Sequence, residues 1–109
     1  MTDRLLKSLG QRIATLRKQR NISQEEFAEK SGKMINTISN IERGLTDPRI
    51  STLTALANAL DVEPAFLLSE AFHKVQAPQE DIIEILKQQN TRTLKDVLKQ
   101  IEALIKINN

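Results

Sequence analysis

The chain has 109 residues, room for one domain or for one small domain with an appendage. It contains no cysteine, which removes disulfides, thiolate metal sites and cysteine nucleophiles from consideration. No apolar run approaches the ~18 residues that cross a bilayer. The opening Met1-Thr2-Asp3-Arg4 lacks an apolar leader core, so the expectation is a soluble cytoplasmic protein. A net charge of +2 says little by itself, but its distribution says more. Between Asp3 and Arg20 six basic residues face one acidic residue, whereas the stretch from Leu60 to Glu70 carries Asp61, Glu63 and Glu70 and no base. That polarity suits a face turned toward phosphate, and equally a solvated amphipathic helix.

The first predicted helix runs from about Asp3 to Gln19, with Leu6, Leu9, Ile13 and Leu16 recurring at helical steps. Asn21, a residue that tolerates left-handed backbone, offers its stop. Ser23 and Glu26 form a capping-box pattern that starts a second helix. Phe27 and Ala28 face inward, and Gly32 closes the helix after Ser31. A third helix follows from about Ile35 to Arg43, anchored by Ile38 and Ile41 and ended by Gly44. Thr46-Asp47-Pro48 reads as a turn. The fourth helix spans about Ser51 to Leu60, with Leu53, Leu56, Ala57 and Leu60 inward. After a link at 61–63, Pro64 opens a short fifth helix carrying Phe66 and Leu67.

Composition shifts beyond residue 70. Residues 71–78 read as a linker between a domain at 1–70 and a helical element at 79–109. That element divides into a helix over about 79–89, with Ile82, Ile83, Ile85 and Leu86, and one over about 93–107. The latter carries the stripe Leu94, Val97, Leu98, Ile101, Leu104 and Ile105. Only helical periods occur and no segment reads as a strand, so the fold class is all-α.

Two short helices joined by a glycine turn, the second ended at once by another glycine, describe a helix-turn-helix. Ala28 sits where the helices come closest. Ile38 and Ile41 hold the second helix on the core, which leaves Ile35, Asn36, Thr37 and Asn40 on its outer, N-terminal side. The stretches Ile22–Gly32 and Ile38-Ser39-Asn40-Ile41-Glu42-Arg43-Gly44 resemble the Cro/CI-type (Xre) helix-turn-helix family. So do Asp47-Pro48, the Leu53-x-x-Leu56-Ala57-x-Ala59-Leu60-x-Val62 pattern, and the basic first helix with Arg12 and Arg17. The resemblance covers about residues 8 to 69.

It implies a five-helix, lambda-repressor-like domain that binds double-stranded DNA as a dimer. By position it places base-reading side chains at Met34, Ile35, Asn36 and Asn40, with Thr37 beside them. An amide at Asn36 or Asn40 matches the N6/N7 edge of adenine. The resemblance puts Gln24 on a backbone phosphate at the start of its helix. Lys33, Arg43, Arg49 and Arg12 are further phosphate candidates, Arg12 with a solvated surface residue as its alternative. Arg17 and Glu42 resemble the family's largely buried ion pair between the first and third helices. The chain departs from the family at the start of the recognition helix. Met34 stands where a capping serine or threonine is usual, a loss of ~1 kcal/mol.

The resulting expectation is a transcription regulator, a repressor acting as a dimer on a palindromic operator, cytoplasmic, nucleoid-associated and of bacterial, phage or plasmid origin. The C-terminal stripe has three possible uses: folding back on the domain, pairing with a second copy, or holding a different protein as in an antitoxin-like module. Self-association is the favoured one, because six such side chains are costly to leave in water. No cofactor, metal site or catalytic group is expected. His73 is the sole histidine and reads as a linker residue, the carboxylates show no paired spacing, and Gly10, Gly32 and Gly44 form no phosphate cradle.

Overall fold

The computed structural model describes residues 2–74, 87 and 92–108; side chains are described for 4–69, 87, 92–100 and 103. Six helices occur among these residues: α1 (Thr2–Gln19), α2 (Gln24–Ser31), α3 (Ile35–Glu42), α4 (Ile50–Ala59), α5 (Pro64–Lys74) and α6 (Leu94–Asn108). The all-α reading holds, and the described residues contain no strand, only one isolated antiparallel bridge between Arg49 and Thr93. The fifth helix is longer than expected and continues through 71–74, the first half of the predicted linker. The helix expected over 79–89 lies outside the described residues apart from Lys87, which is helical.

The first four helices end in one way, and the sequence shows why. After α1 the Ile22 amide reaches back to the Arg17 carbonyl, after α2 Lys33 reaches Ala28, after α3 Leu45 reaches Asn40, and after α4 Val62 reaches Ala57. Each closure needs one left-handed residue, supplied by Asn21 (φ 57°), Gly32 (69°), Gly44 (71°) and Asp61 (57°). These reversals keep the connections short, so the helices fold back on one another. α1 packs on α3 and α5, α2 packs on α3 and α4, and α4 packs on α5.

Among the described side chains the core they enclose is aliphatic around the Phe27 ring. Phe27, Ile13, Ile38, Ile50, Leu53, Leu56, Leu60, Leu67 and Leu68 are fully buried. Leu94 and Val97 of α6 are fully buried in the same cluster, with Leu98 beside them. This corrects the expectation that these three side chains form a surface for a second copy: they complete the core of their own chain. Leu94, Val97 and Leu98 recur at helical spacing, and the α3–α4 connection is bonded to the start of that helix through Ile50–Arg92 and Leu94–Pro48. The other three members of the stripe, Ile101, Leu104 and Ile105, lie on the described backbone of α6, but their side chains lie outside the described residues.

Candidate nucleic-acid interface

The candidate interface is built on α3, and α3 is held to α1 and α2 by a polar brace. Arg17 of α1 meets Glu42 at the C-terminal end of α3 through two bonds, Nε to Oε2 at 2.8 Å and NH2 to Oε1 at 3.1 Å. The pair is sheltered, with side-chain exposures of 10% and 6%. The remaining Arg17 nitrogen, NH1, donates to the Ile22 carbonyl at 3.0 Å, and Gln24 donates its amide to Glu42 Oε1 at 3.0 Å. One guanidinium and one carboxylate thus join α1, the α1–α2 turn, α2 and α3. A bidentate fork limits how α3 can rotate, which a single contact would not.

Below the brace α1 lies close enough to α3 that only glycine fits. A Cβ on Gly10 would fall on the Ile41 carbonyl oxygen and 2.5 Å from that of Glu42. The reading of Gly10 as merely outside any phosphate motif missed this role. The available signal was a glycine in the middle of a helical pattern, which ordinarily has a packing reason.

At its N-terminal end α2 is capped by Ser23, as the sequence suggested. Ser23 Oγ accepts the Glu26 amide at 3.1 Å. The Glu26 carboxylate meets the Ser23 hydroxyl at 3.4 Å. The start of α3 is uncapped, since Met34 takes the N-cap position with no side-chain hydrogen bond. Met34 is 72% exposed and Ile35 42%, an unusual solvent exposure for two large apolar side chains. Asn36 is exposed, and Thr37 and Asn40 are half-buried. Ile38 and Ile41 face the core. Asn36, Asn40 and Arg43 therefore follow one ridge at steps of four and three residues, about 10 Å long.

The basic residues divide. Arg43, which ends α3, and Arg49, which precedes α4, are both exposed, and Lys33 is half-buried in the turn between α2 and α3. All three lie in the connections at the two ends of α3. Arg12 does not: it lies about 140° round α1 from Arg17, and its guanidinium stacks on the Phe66 ring of α5, 4.6 Å from the centroid. The structure thus places this phosphate candidate on the α5 flank of α1. Gln24, the other candidate carried by the resemblance, has its side-chain amide engaged with Glu42 in the unbound chain.

This arrangement is a helix-turn-helix: a capped first helix, a left-handed turn at Gly32, and a second helix with a polar and apolar outer ridge flanked by arginines. The chain belongs to the Xre-type helix-turn-helix family, whose model matches residues 13–67. It is 31% identical over 99 residues to the immunity repressor protein of Bacillus phage phi105, covering 91% of this chain and 63% of that one. It is 43% identical over 63 residues to the HTH-type transcriptional regulator SinR of Bacillus subtilis (strain 168), covering 57% of each chain. It therefore spans 57–63% of the length of these curated relatives. Among solved structures it is similar to a chain of a SinR protein–SinI protein complex, with TM-score 0.55 and 29% identity over 92% of this chain and 97% of that one. No helix among the described residues is long and apolar enough to cross a membrane.

Proposed function

We propose that this protein is a sequence-specific, double-stranded-DNA-binding transcription regulator, a repressor that acts as a dimer on a palindromic operator. The observation that carries the reading is the outer ridge of α3, Met34 to Asn40, held on a sheltered Arg17–Glu42–Gln24 brace and flanked by exposed arginines. The names of the phage repressor and SinR support it.

In this mechanism α3 enters the major groove. Asn36 and Asn40 pair with adenine edges, Thr37 bonds to a base or phosphate, and Met34 and Ile35 meet thymine methyl groups. Arg43, Arg49 and Lys33 hold phosphates on either side. The N-terminal end of α2, with Gln24 turned from Glu42, takes another. Arg12 has no part in it. Two such ridges about 34 Å apart read the two half-sites. The pairing of copies falls to the later turns of α6, which carry Ile101, Leu104 and Ile105 in the sequence. Occupancy of the operator excludes polymerase.

A second reading is supported by the likeness over nearly the whole chain to a protein solved in complex with another protein. In it the C-terminal helix holds a heterologous partner and DNA binding is secondary. Selection of bound duplex from a random pool, followed by footprinting, tests the first reading. A half-site should emerge, and Asn36→Ala and Asn40→Ala should abolish its enrichment. If no site is enriched and both variants bind as the parent does, the base-reading assignment is wrong. Mass in solution separates the two readings: a stable homodimer supports the first, a monomer the second.

A further inference from the structure

The connection from Arg43 to Arg49 supplies two of the proposed phosphate contacts, yet it is not held by its own helix-turn-helix alone. The leader of α6 lies along it. Ile50 donates its amide to the Arg92 carbonyl at 2.8 Å, and Leu94 donates to the Pro48 carbonyl at 2.9 Å. These two bonds pair Arg49 with Thr93 in a short antiparallel bridge. The Lys95 amide donates to Asp47 Oδ1 at 3.0 Å, and the Asp96 amide meets Thr93 Oγ1 at 3.4 Å. The first three amides of α6 are thus satisfied, two of them by the connection. Directly beneath, Leu94, Val97 and Leu98 are buried in the shared core.

Electrostatics gives the junction a second purpose. Asp47 lies between two arginines proposed to meet phosphate, where a loose carboxylate opposes an anion. Its bond to Lys95 ties that charge to the positive end of α6.

We infer that residues 92–98 position the phosphate-facing connection, so that docking of the first turns of α6 sets the affinity for DNA. The C-terminal helix is then part of the DNA-binding apparatus, and whatever loosens it weakens binding through Arg43 and Arg49. The inference rests on the proposed DNA contact.

Linkage supplies a test on the unmodified chain. If docking strengthens DNA binding by some factor, bound DNA must shift the docking equilibrium toward the docked state by the same factor. Amide hydrogen exchange of the full chain is measured with and without a duplex carrying the selected site. The amides of Leu94, Lys95 and Val97 should exchange about ten-fold more slowly on the duplex, corresponding to ~1.4 kcal/mol. If α3 amides gain protection while those of α6 are unchanged or faster, the inference is overturned and the DNA reading stands. If the duplex does not bind at all, the functional reading fails and takes this inference with it.

A covalent version follows from the bridge. Arg49 and Thr93 face each other as a non-hydrogen-bonded pair, whose Cα separation of about 4.5 Å falls within disulfide range. The chain has no cysteine of its own. In an Arg49→Cys/Thr93→Cys chain that also carries Val97→Asp to loosen the helix, oxidation should tighten DNA binding several-fold over the reduced form. Because both states lack the Arg49 charge, the comparison isolates docking. Circular dichroism checks that the reduced form stays folded. Equal affinity of two folded states refutes the inference.

Discussion

Glu42→Ala is the sharpest perturbation of the brace. The Glu42 carboxylate receives two bonds from Arg17 and one from Gln24, at 94% side-chain shielding from solvent judged by its 6% exposure. Removing it leaves the Arg17 guanidinium in a sheltered site with only the Ile22 carbonyl as a partner. Breaking a buried pair from one side typically costs ~3–5 kcal/mol. A domain of this size has ~5–15 kcal/mol in total. With a urea slope of ~1–3 kcal/mol/M, the midpoint should fall by about 2 M. The double change Arg17→Met/Glu42→Leu removes both charges and fills the same space with apolar groups. It should recover most of the loss, because the cost lies in the stranded cation and not in the missing attraction. Urea unfolding followed by far-UV circular dichroism measures both. A Glu42→Ala chain within ~1 kcal/mol of the parent refutes the reasoning, as does a double variant no better than the single.

Three other changes test separate parts of the interface. Gly10→Ala improves intrinsic helix propensity by ~1 kcal/mol, but its Cβ would run into the α3 carbonyls and force α1 off α3 at ~1–3 kcal/mol. Its Tm should fall, and a rise would show that the close approach is not real. Met34→Ser supplies the missing cap of α3 at a position 72% exposed. It should stabilise the chain by ~1 kcal/mol while weakening discrimination at one operator position, read by repeating the site selection. An unchanged Tm would mean that the cap geometry is wrong. Arg49→Ala should weaken binding uniformly across sequences and reduce the slope of affinity against salt by about 1. A selective loss at one base would reassign Arg49 to readout.

What was legible in the sequence was whatever is set locally. The ends at Asn21, Gly32 and Gly44 could be read because a left-handed position restricts residue type. Asp61 does the same job, but aspartate has many other uses and looked like a plain link. The outer ridge of α3 followed from periodicity, since Ile38 and Ile41 fix which side is inside. Gln24 escaped because an amide near a helix start suits solvent, a phosphate or a carboxylate equally, and only the fold brings Glu42 to it across 18 residues. Asp47 escaped for the same reason: its capping bond spans 48 residues. Arg12 stood as a phosphate candidate on its place in the basic first helix and on the family resemblance, and neither shows the Phe66 ring of α5 that its guanidinium meets.

The C-terminal stripe shows where pattern runs out. Amphipathicity states that a face needs cover, not what covers it. Copy and own core are equally apolar, and the choice turns on whether the preceding chain lets the helix return. Here the bridge at Arg49 and Thr93 shows that it does. Burial of Leu94, Val97 and Leu98 is worth ~1.5–3 kcal/mol apiece before the cost of ordering the helix. The domain read as residues 1–70 therefore lacks three of its own core side chains. A chain ending at residue 74 should unfold at lower urea than the full chain and with a smaller slope, since less surface is exposed on unfolding. It should also bind hydrophobic dyes where the core loses Leu94, Val97 and Leu98, all buried in the full chain. An identical midpoint would mean that α6 adds nothing to the core. A lower midpoint makes the C-terminal helix a structural member of the helix-turn-helix domain before it is anything else, so any partner that draws the whole of α6 away must first take that stability from it.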